Sequence, residues 1–225
     1  MSVELTCELN LVVVPEKSLA EKHIALSQEL AKRHPARITL DGIDPRLAFA
    51  PHVTIYQVAV RLNDMNRIST DLAAIAGDTP VLSLAATEYA YHAQDATIEL
   101  RYRATGPLLQ LQDAVLEVVN PIRGSLLRER DPSGHPLSEL ITQSGTVGDN
   151  IRCTGFDAIG DPAKGGTFIP HVSLNWFAPG TSLDAESEEL PLIGNFDGPA
   201  VALGIYLLGP YGTCTQRLAA SELTG

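Results

Sequence analysis

The strongest constraint on the fold is a short pattern that occurs twice. Pro51-His52-Val53-Thr54-Ile55 returns as Pro170-His171-Val172-Ser173-Leu174, each copy a proline, a histidine and, two residues further on, a hydroxyl in an apolar run. β-Branched and apolar residues make each copy the start of a strand. Side chains alternate between faces along a strand, so His52 and Thr54 share one face while Val53 and Ile55 share the other. The same rule groups His171 with Ser173, opposite Val172 and Leu174. The two copies call for two equivalent strand positions. An imidazole beside a hydroxyl, presented twice, is what acid and base work on a phosphodiester requires, and the pair is the candidate active site.

Around the two copies the chain alternates strand and helix. Glu8 to Val14 (ELNLVVV) reads as a strand buried on at least one face and ended by Pro15. Ser18 is a candidate N-cap for a helix to about Lys32, with Leu19, Leu26 and Leu30 on one stripe, Ile24 at its edge, and His23 on that stripe as a packed structural histidine. His34, after Lys32 and Arg33, reads as exposed. A loop over 41–50 leads into the first histidine strand, which runs to about Arg61 and carries Tyr56 on the face of His52 if no bulge intervenes. Asp64 to Ala76 has helical spacing through Met65, Ile68, Leu72 and Ile75.

Val81 to Tyr91 and Ala96 to Arg103 read as two strands of an antiparallel hairpin. In the second, Ile98, Leu100 and Tyr102 alternate with Thr97, Glu99, Arg101 and Arg103, so an apolar face against the helices leaves both arginines on the cleft side. Gly106-Pro107 opens a helix to about Val119 that Pro121 closes. Ala178 to Asn195 is acidic and mostly exposed, with room for one short helix. Ala200 to Leu208 and Thr213 to Ala219 close the chain as two strands around a turn at 209–212. The stretch 121–168 is long and irregular, and its place just before the second histidine strand suggests a lid.

Charge narrows the partners. A net charge of −11 disfavours a broad grip on a phosphate backbone, so a small nucleotide or a short RNA or oligonucleotide end fits better than a long duplex. Three cysteines without CxxC spacing, Cys7, Cys153 and Cys214, indicate neither a disulfide framework nor a zinc knuckle. The acidic N-terminus lacks signal-peptide character, no run reaches membrane-spanning length, and the expectation is a monomer in the cytoplasm.

The two motifs, His52-Val53-Thr54 and His171-Val172-Ser173, resemble those of the two-histidine (2H) phosphoesterase superfamily, which includes 2′-5′ RNA ligase-like proteins and cyclic phosphodiesterases. The resemblance implies an α+β protein of two pseudo-symmetric lobes, with antiparallel sheets facing a central cleft and helices outside, as one domain over 1–225. It also implies that His52 and His171 are the catalytic pair and that Thr54 and Ser173 hydrogen-bond the phosphate. Opening a cyclic phosphodiester needs a proton taken from water and another given to the departing ribose oxygen, on opposite sides of phosphorus. Two histidines meet both demands near neutral pH without a metal or other cofactor. Symmetry-related motifs leave open which is acid and which is base, and whether the substrate is a 2′,3′-cyclic or a 2′-5′-linked nucleotide.

By strand parity Tyr56 is placed to stack a base and Asn175 to read a polar edge, with Arg101 and Arg103 as further substrate contacts, while Trp176 falls on the core side. Each has a plainer reading, Tyr56 as packing and the arginines as solvated strand residues. Neither histidine has an HxH or HExxH partner for metal binding, His92 and His135 sit in turn-like contexts, and Lys164-Gly165-Gly166 lacks the order of a phosphate-binding loop. The competing function is a nucleotide- or RNA-binding module that kept the cleft and does little chemistry.

Overall fold

The apolar runs and stripes of the sequence condense into two antiparallel sheets backed by helices. The structure is a computed structural model and describes residues 5–41, 49–93, 95–130, 136, 168–183 and 188–225. In chain order its elements are β1 (Thr6–Pro15), α1 (Lys17–Arg33), β2 (Ala36–Thr39), β3 (Val53–Arg61), α2 (Met65–Asp78), β4 (Leu82–Leu84), β5 (Ala86–His92), β6 (Thr97–Tyr102), α3 (Gly106–Arg123), β7 (His171–Phe177), β8 (Gly198–Leu208) and β9 (Cys214–Glu222). The first sheet runs β3-β1-β8, and the far side of β8 takes β4 at its start and β9 along the rest. The second runs β2-β7-β6-β5. The two histidine motifs therefore open β3 and β7, one strand in each sheet.

Each sheet has one face against helices. Leu19, Leu26 and Leu30 of α1 are buried, as the stripe required, and α1 lies on the second sheet, where Ser27 Oγ donates to Leu174 O at 2.7 Å. Helix α3 covers β3 through Leu108, Leu111, Val115 and Val119, and α2 packs against α3, β8 and β9 through Ile68 and Leu72. Each such fully buried leucine contributes about 1.5–3 kcal/mol. His23 is buried as expected, its Nε2 2.6 Å from the Tyr102 hydroxyl, and burial drives its pKa down to about 4.

Several boundaries differ from the sequence expectations. The single strand expected over Val81–Tyr91 is two strands in different sheets, β4 on β8 and β5 on β6, because the chain crosses over at Ala85. Helix α1 begins at Lys17, with Ser18 Oγ bonded to the Glu16 carboxylate rather than capping the helix. Helix α3 continues past Pro121 to Arg123: a proline in the last turn forfeits one intrahelical bond there, and the chain leaves through Gly124 at φ 61. Strand β2, with Ile38 its one buried residue, carried too little pattern to be read. His34 is not free: its Nε2 lies 2.6 Å from Glu188 Oε1 and its ring meets Phe177 edge-on. Nearly all of 131–167, where a lid was expected, lies outside the described residues, as do His135 and Lys164-Gly165-Gly166.

The two histidine strands share a second feature. On β3 the register runs Val53 to Val13 and Thr54 to Val12, then jumps to Tyr56 opposite Leu11, leaving Ile55 as an extra residue. On β7 it runs Val172 to Leu100 and Ser173 to Glu99, then jumps to Asn175 opposite Ile98, leaving Leu174 extra. Both are β-bulges at the third residue after the motif histidine, and each reverses the facing of everything beyond it.

Candidate active site

The bulges correct three parity readings. Tyr56 turns to the helix side, 0% exposed, with its hydroxyl 3.2 Å from Asn120 Oδ1 on α3, so it packs rather than stacks a base. Asn175 likewise is 0% exposed and donates from Nδ2 to the carbonyls of Ser27 at 3.1 Å and Ile38 at 3.4 Å, which removes it from the cleft. Their places on the cleft face go to Gln57, whose Oε1 accepts from Arg128 Nη1 at 3.0 Å, and to Trp176. Trp176 meets Tyr211 of the turn between β8 and β9 with ring centroids 4.6 Å apart, a contact that joins the two sheets.

On the cleft side of the bulges the motif geometry repeats. His52 Nδ1 lies 2.8 Å from the Ala50 carbonyl and His171 Nδ1 lies 2.9 Å from that of Ile169, in each case the carbonyl two residues upstream. A carbonyl only accepts, so both Nδ1 atoms carry hydrogen and both Nε2 atoms are left to face the cleft. Thr54 and Ser173 stand half-buried on the same faces. The histidines sense one another: burial lowers the pKa of His52, and the charge of His171 pushes the same way against hydrogen bonding to the Ala50 and Gly212 carbonyls.

The partners of the two Nε2 atoms differ. His52 Nε2 is 3.2 Å from Asn10 Nδ2 on β1, and that amide also donates to Gly212 O at 2.9 Å. His171 Nε2 is 3.6 Å from Glu99 Oε2 on β6. The other oxygen of Glu99 accepts from Arg101 Nε at 2.7 Å and sits 3.0 Å from His92 Nε2. Glu99 is only 7% exposed, yet although burial pushes its pKa up, the His92 hydrogen bond, the His171 charge and Arg101 together hold it down to about 2. His92, expected to be an exposed turn residue, ends β5 as part of this cluster, and Glu99 raises its pKa.

Arg101 lies opposite His171 in the ladder and also bonds Glu88 at 3.0 Å, so it is tied into the carboxylate cluster. Arg103 lies just past β6 and is exposed. Among the described residues, no three of His, Cys, Asp and Glu are grouped so as to hold a metal ion.

No protein-family model and no curated protein matches this sequence. Solved structures do. E. coli LigT in its apo form is 13% identical, with a TM-score of 0.52 over 98% of this chain and 99% of that one. A structure described as a phosphoesterase is 12% identical, with a TM-score of 0.54 over 98% of this chain and 100% of that one. The chain shares the fold of LigT. LigT complexed with 3′-AMP superposes equally, at 12% identity and a TM-score of 0.53 over 98% of this chain and 100% of that one. The architecture thus agrees with the resemblance read from the two histidine motifs.

Within this LigT-like fold, the cleft residues that motif reading missed are Asn10, Gln57, His92, Glu99 and Trp176. Asn10 left a trace in the sequence, as the polar residue set between Leu9 and Leu11 in ELNLVVV. Glu99 had the right strand parity, but only the β6–β7 register brings it to His171.

Proposed function

We propose that this chain is a metal-independent phosphodiesterase that hydrolyses 2′,3′-cyclic or 2′-5′-linked nucleotides or short oligonucleotides by two-histidine acid/base catalysis. The observation that carries this reading is the repeated placement of His52 and His171, each with Nδ1 held by the carbonyl two residues upstream and Nε2 turned to the cleft. One imidazole takes a proton from the attacking water. The other returns a proton to the departing ribose oxygen, and each role contributes roughly 10²- to 10⁴-fold. The Thr54 and Ser173 hydroxyls donate to the non-bridging phosphate oxygens, where charge must be held during displacement. LigT has been solved with 3′-AMP, ATP and phosphate, ligands of the chemical class this cleft would take.

The test is hydrolysis of a panel of 2′,3′-cyclic nucleotides, 2′-5′ dinucleotides and cyclic oligonucleotides in EDTA, comparing the wild type with His52→Ala. Turnover that survives EDTA and falls at least about 10²-fold in the variant is the expected result. Saturable nucleotide binding without product on any member replaces it with the binding-module reading.

A further inference from the structure

The first sheet ends in an open edge. Strand β9 pairs with β8 on one side and, among the described residues, with no strand on the other. It runs for nine residues, Cys214–Glu222, without proline or lysine, two residues that commonly keep an edge strand from pairing with another chain. Just past its end, Leu223 N–H donates to Val201 O at 2.9 Å. Antiparallel pairing turns the backbone groups of alternate residues toward a neighbour, so those of Leu223, Ser221 and Ala219 serve β8, while the N–H and C=O of Ala220 and Glu222 point to the open edge. Both of these residues are exposed.

Opposite charges stand on one face of this edge. Leu203 and Ile205 of β8 belong to the helix-side core, so Ala202, Gly204 and Tyr206 lie on the opposite face, and the register carries that face to Glu222, Ala220 and Arg217 of β9. Residues five apart on a regular strand point to opposite faces. The slip between Ala219 and Arg217, which leaves Leu218 as an extra residue, is what brings Arg217 and Glu222 onto the same one. Both are exposed, and among the described residues neither side chain has an ion-pair or hydrogen-bond partner. Around them Val14, Val81, Leu218 and Ala220 line a shallow hollow of about 720 Å³, with Leu218 40% and Val81 52% exposed.

We propose that this edge pairs with the same edge of a second copy of the chain, in place of the monomer the sequence suggests, across a two-fold axis that passes beside Ala220 perpendicular to the sheet. Ala220 of one copy then meets Ala220 of the other through the free N–H and C=O groups, and Glu222 lies opposite the bulged pair Arg217 and Leu218. A two-fold makes each contact twice, so two carboxylates each face a guanidinium. Moving the axis to Glu222, the next residue whose backbone points outward, would set the two carboxylates against each other, so the charges also select the register. This surface is independent of the phosphodiesterase reading.

The test is the mass of the whole chain by sedimentation equilibrium from about 10 to about 500 μM, the range in which an interface this small populates a dimer. About 150 mM salt screens the long-range repulsion between two chains of net charge −11. The wild type is expected to rise toward twice the single-chain mass. Arg217→Glu and Glu222→Arg each set like charges opposite one another twice and should weaken the dimer at least about tenfold. Mixed in equal amounts, the two variants regain both opposite-charge contacts and should associate as the wild type does, a recovery that also shows both are folded. A wild type that stays at single-chain mass throughout overturns the proposal, as does a dimer that either reversal leaves intact or that the mixture fails to restore. Hydrogen exchange of the wild type needs no variant: exchange at the Ala220 and Glu222 amides should slow as concentration rises, and unchanged exchange in the dimer would overturn the strand pairing.

Discussion

Around His52 the hydrogen-bonding groups are neutral: the Asn10 amide and the Ala50 and Gly212 carbonyls. Around His171 they are charged, with Glu99, Arg101 and His92 forming one hydrogen-bonded cluster on the neighbouring strands. Yet the strands that carry the two histidines are built alike, down to the carbonyl on Nδ1 and the bulge at the third residue beyond. The backbone repeat supplies two equivalent imidazoles, and the neighbouring strands make them chemically distinct. A symmetric pair would spend part of its time with both rings neutral or both charged, neither of which can run acid and base together.

The largest effect that can break this contrast comes from changing the leaving group. A p-nitrophenolate departs without needing a proton, whereas a ribose alkoxide does not. On a ribose phosphodiester both His52→Ala and His171→Ala should lose roughly 10²- to 10⁴-fold in kcat. On a p-nitrophenyl phosphodiester the deficit of one variant should shrink to less than about tenfold, which marks its histidine as the acid, while the other keeps its full loss. Equal deficits on both substrates would mean that the two rings do not divide acid and base between them.

Next in size is a difference in acid stability. The Glu99 carboxyl is held near 2 against an ordinary value of 4.5, so its contribution is complete above that value and is lost as pH falls toward 2. The amount is on the order of 3 kcal/mol. His52, with its pKa lowered, and His23, driven down to about 4, lose stability in a higher window, as pH drops below roughly 6.5. Urea unfolding of the wild type across these ranges should therefore steepen twice on acidification, and Glu99→Gln should flatten only the lower window. A variant that keeps the lower slope would show that Glu99 is not the carboxyl responsible.

Most helical packing was legible before the structure, because a 3.6-residue stripe such as Leu19, Leu26 and Leu30 is a local signal. The histidine positions were legible for the same reason, since a strand start and a two-residue repeat are local. What could not be read depended on partners. Whether the chain at Ala85 stays in one sheet or crosses to the other is decided by β8 and β6, far away in sequence. Glu99 reaches His171 only through register. The β3 bulge did leave a trace: buried apolar positions run Val53, Ile55 and then Tyr56, Val58, Val60, so two apolar neighbours mark the slip. In β7 the matching position is the polar Asn175, which satisfies its amide on backbone carbonyls and so disguises a buried site as a cleft residue.

That disguise gives the smallest and most local test of the comparison between the strands. If both bulges turn their following residue into the helix side, Asn175 and Tyr56 matter for folding and not for substrate. Asn175→Ala strips two buried carbonyls of their donor and should cost about 1–3 kcal/mol of stability. Tyr56→Phe removes one hydroxyl bonded to Asn120 and should cost about 1 kcal/mol. Neither should change KM for a nucleotide substrate once the protein is folded, because neither side chain reaches the cleft. A rise in KM for Tyr56→Phe with stability unchanged would mean that the ring contacts substrate after all, and that the β3 bulge does not persist when the cleft is filled.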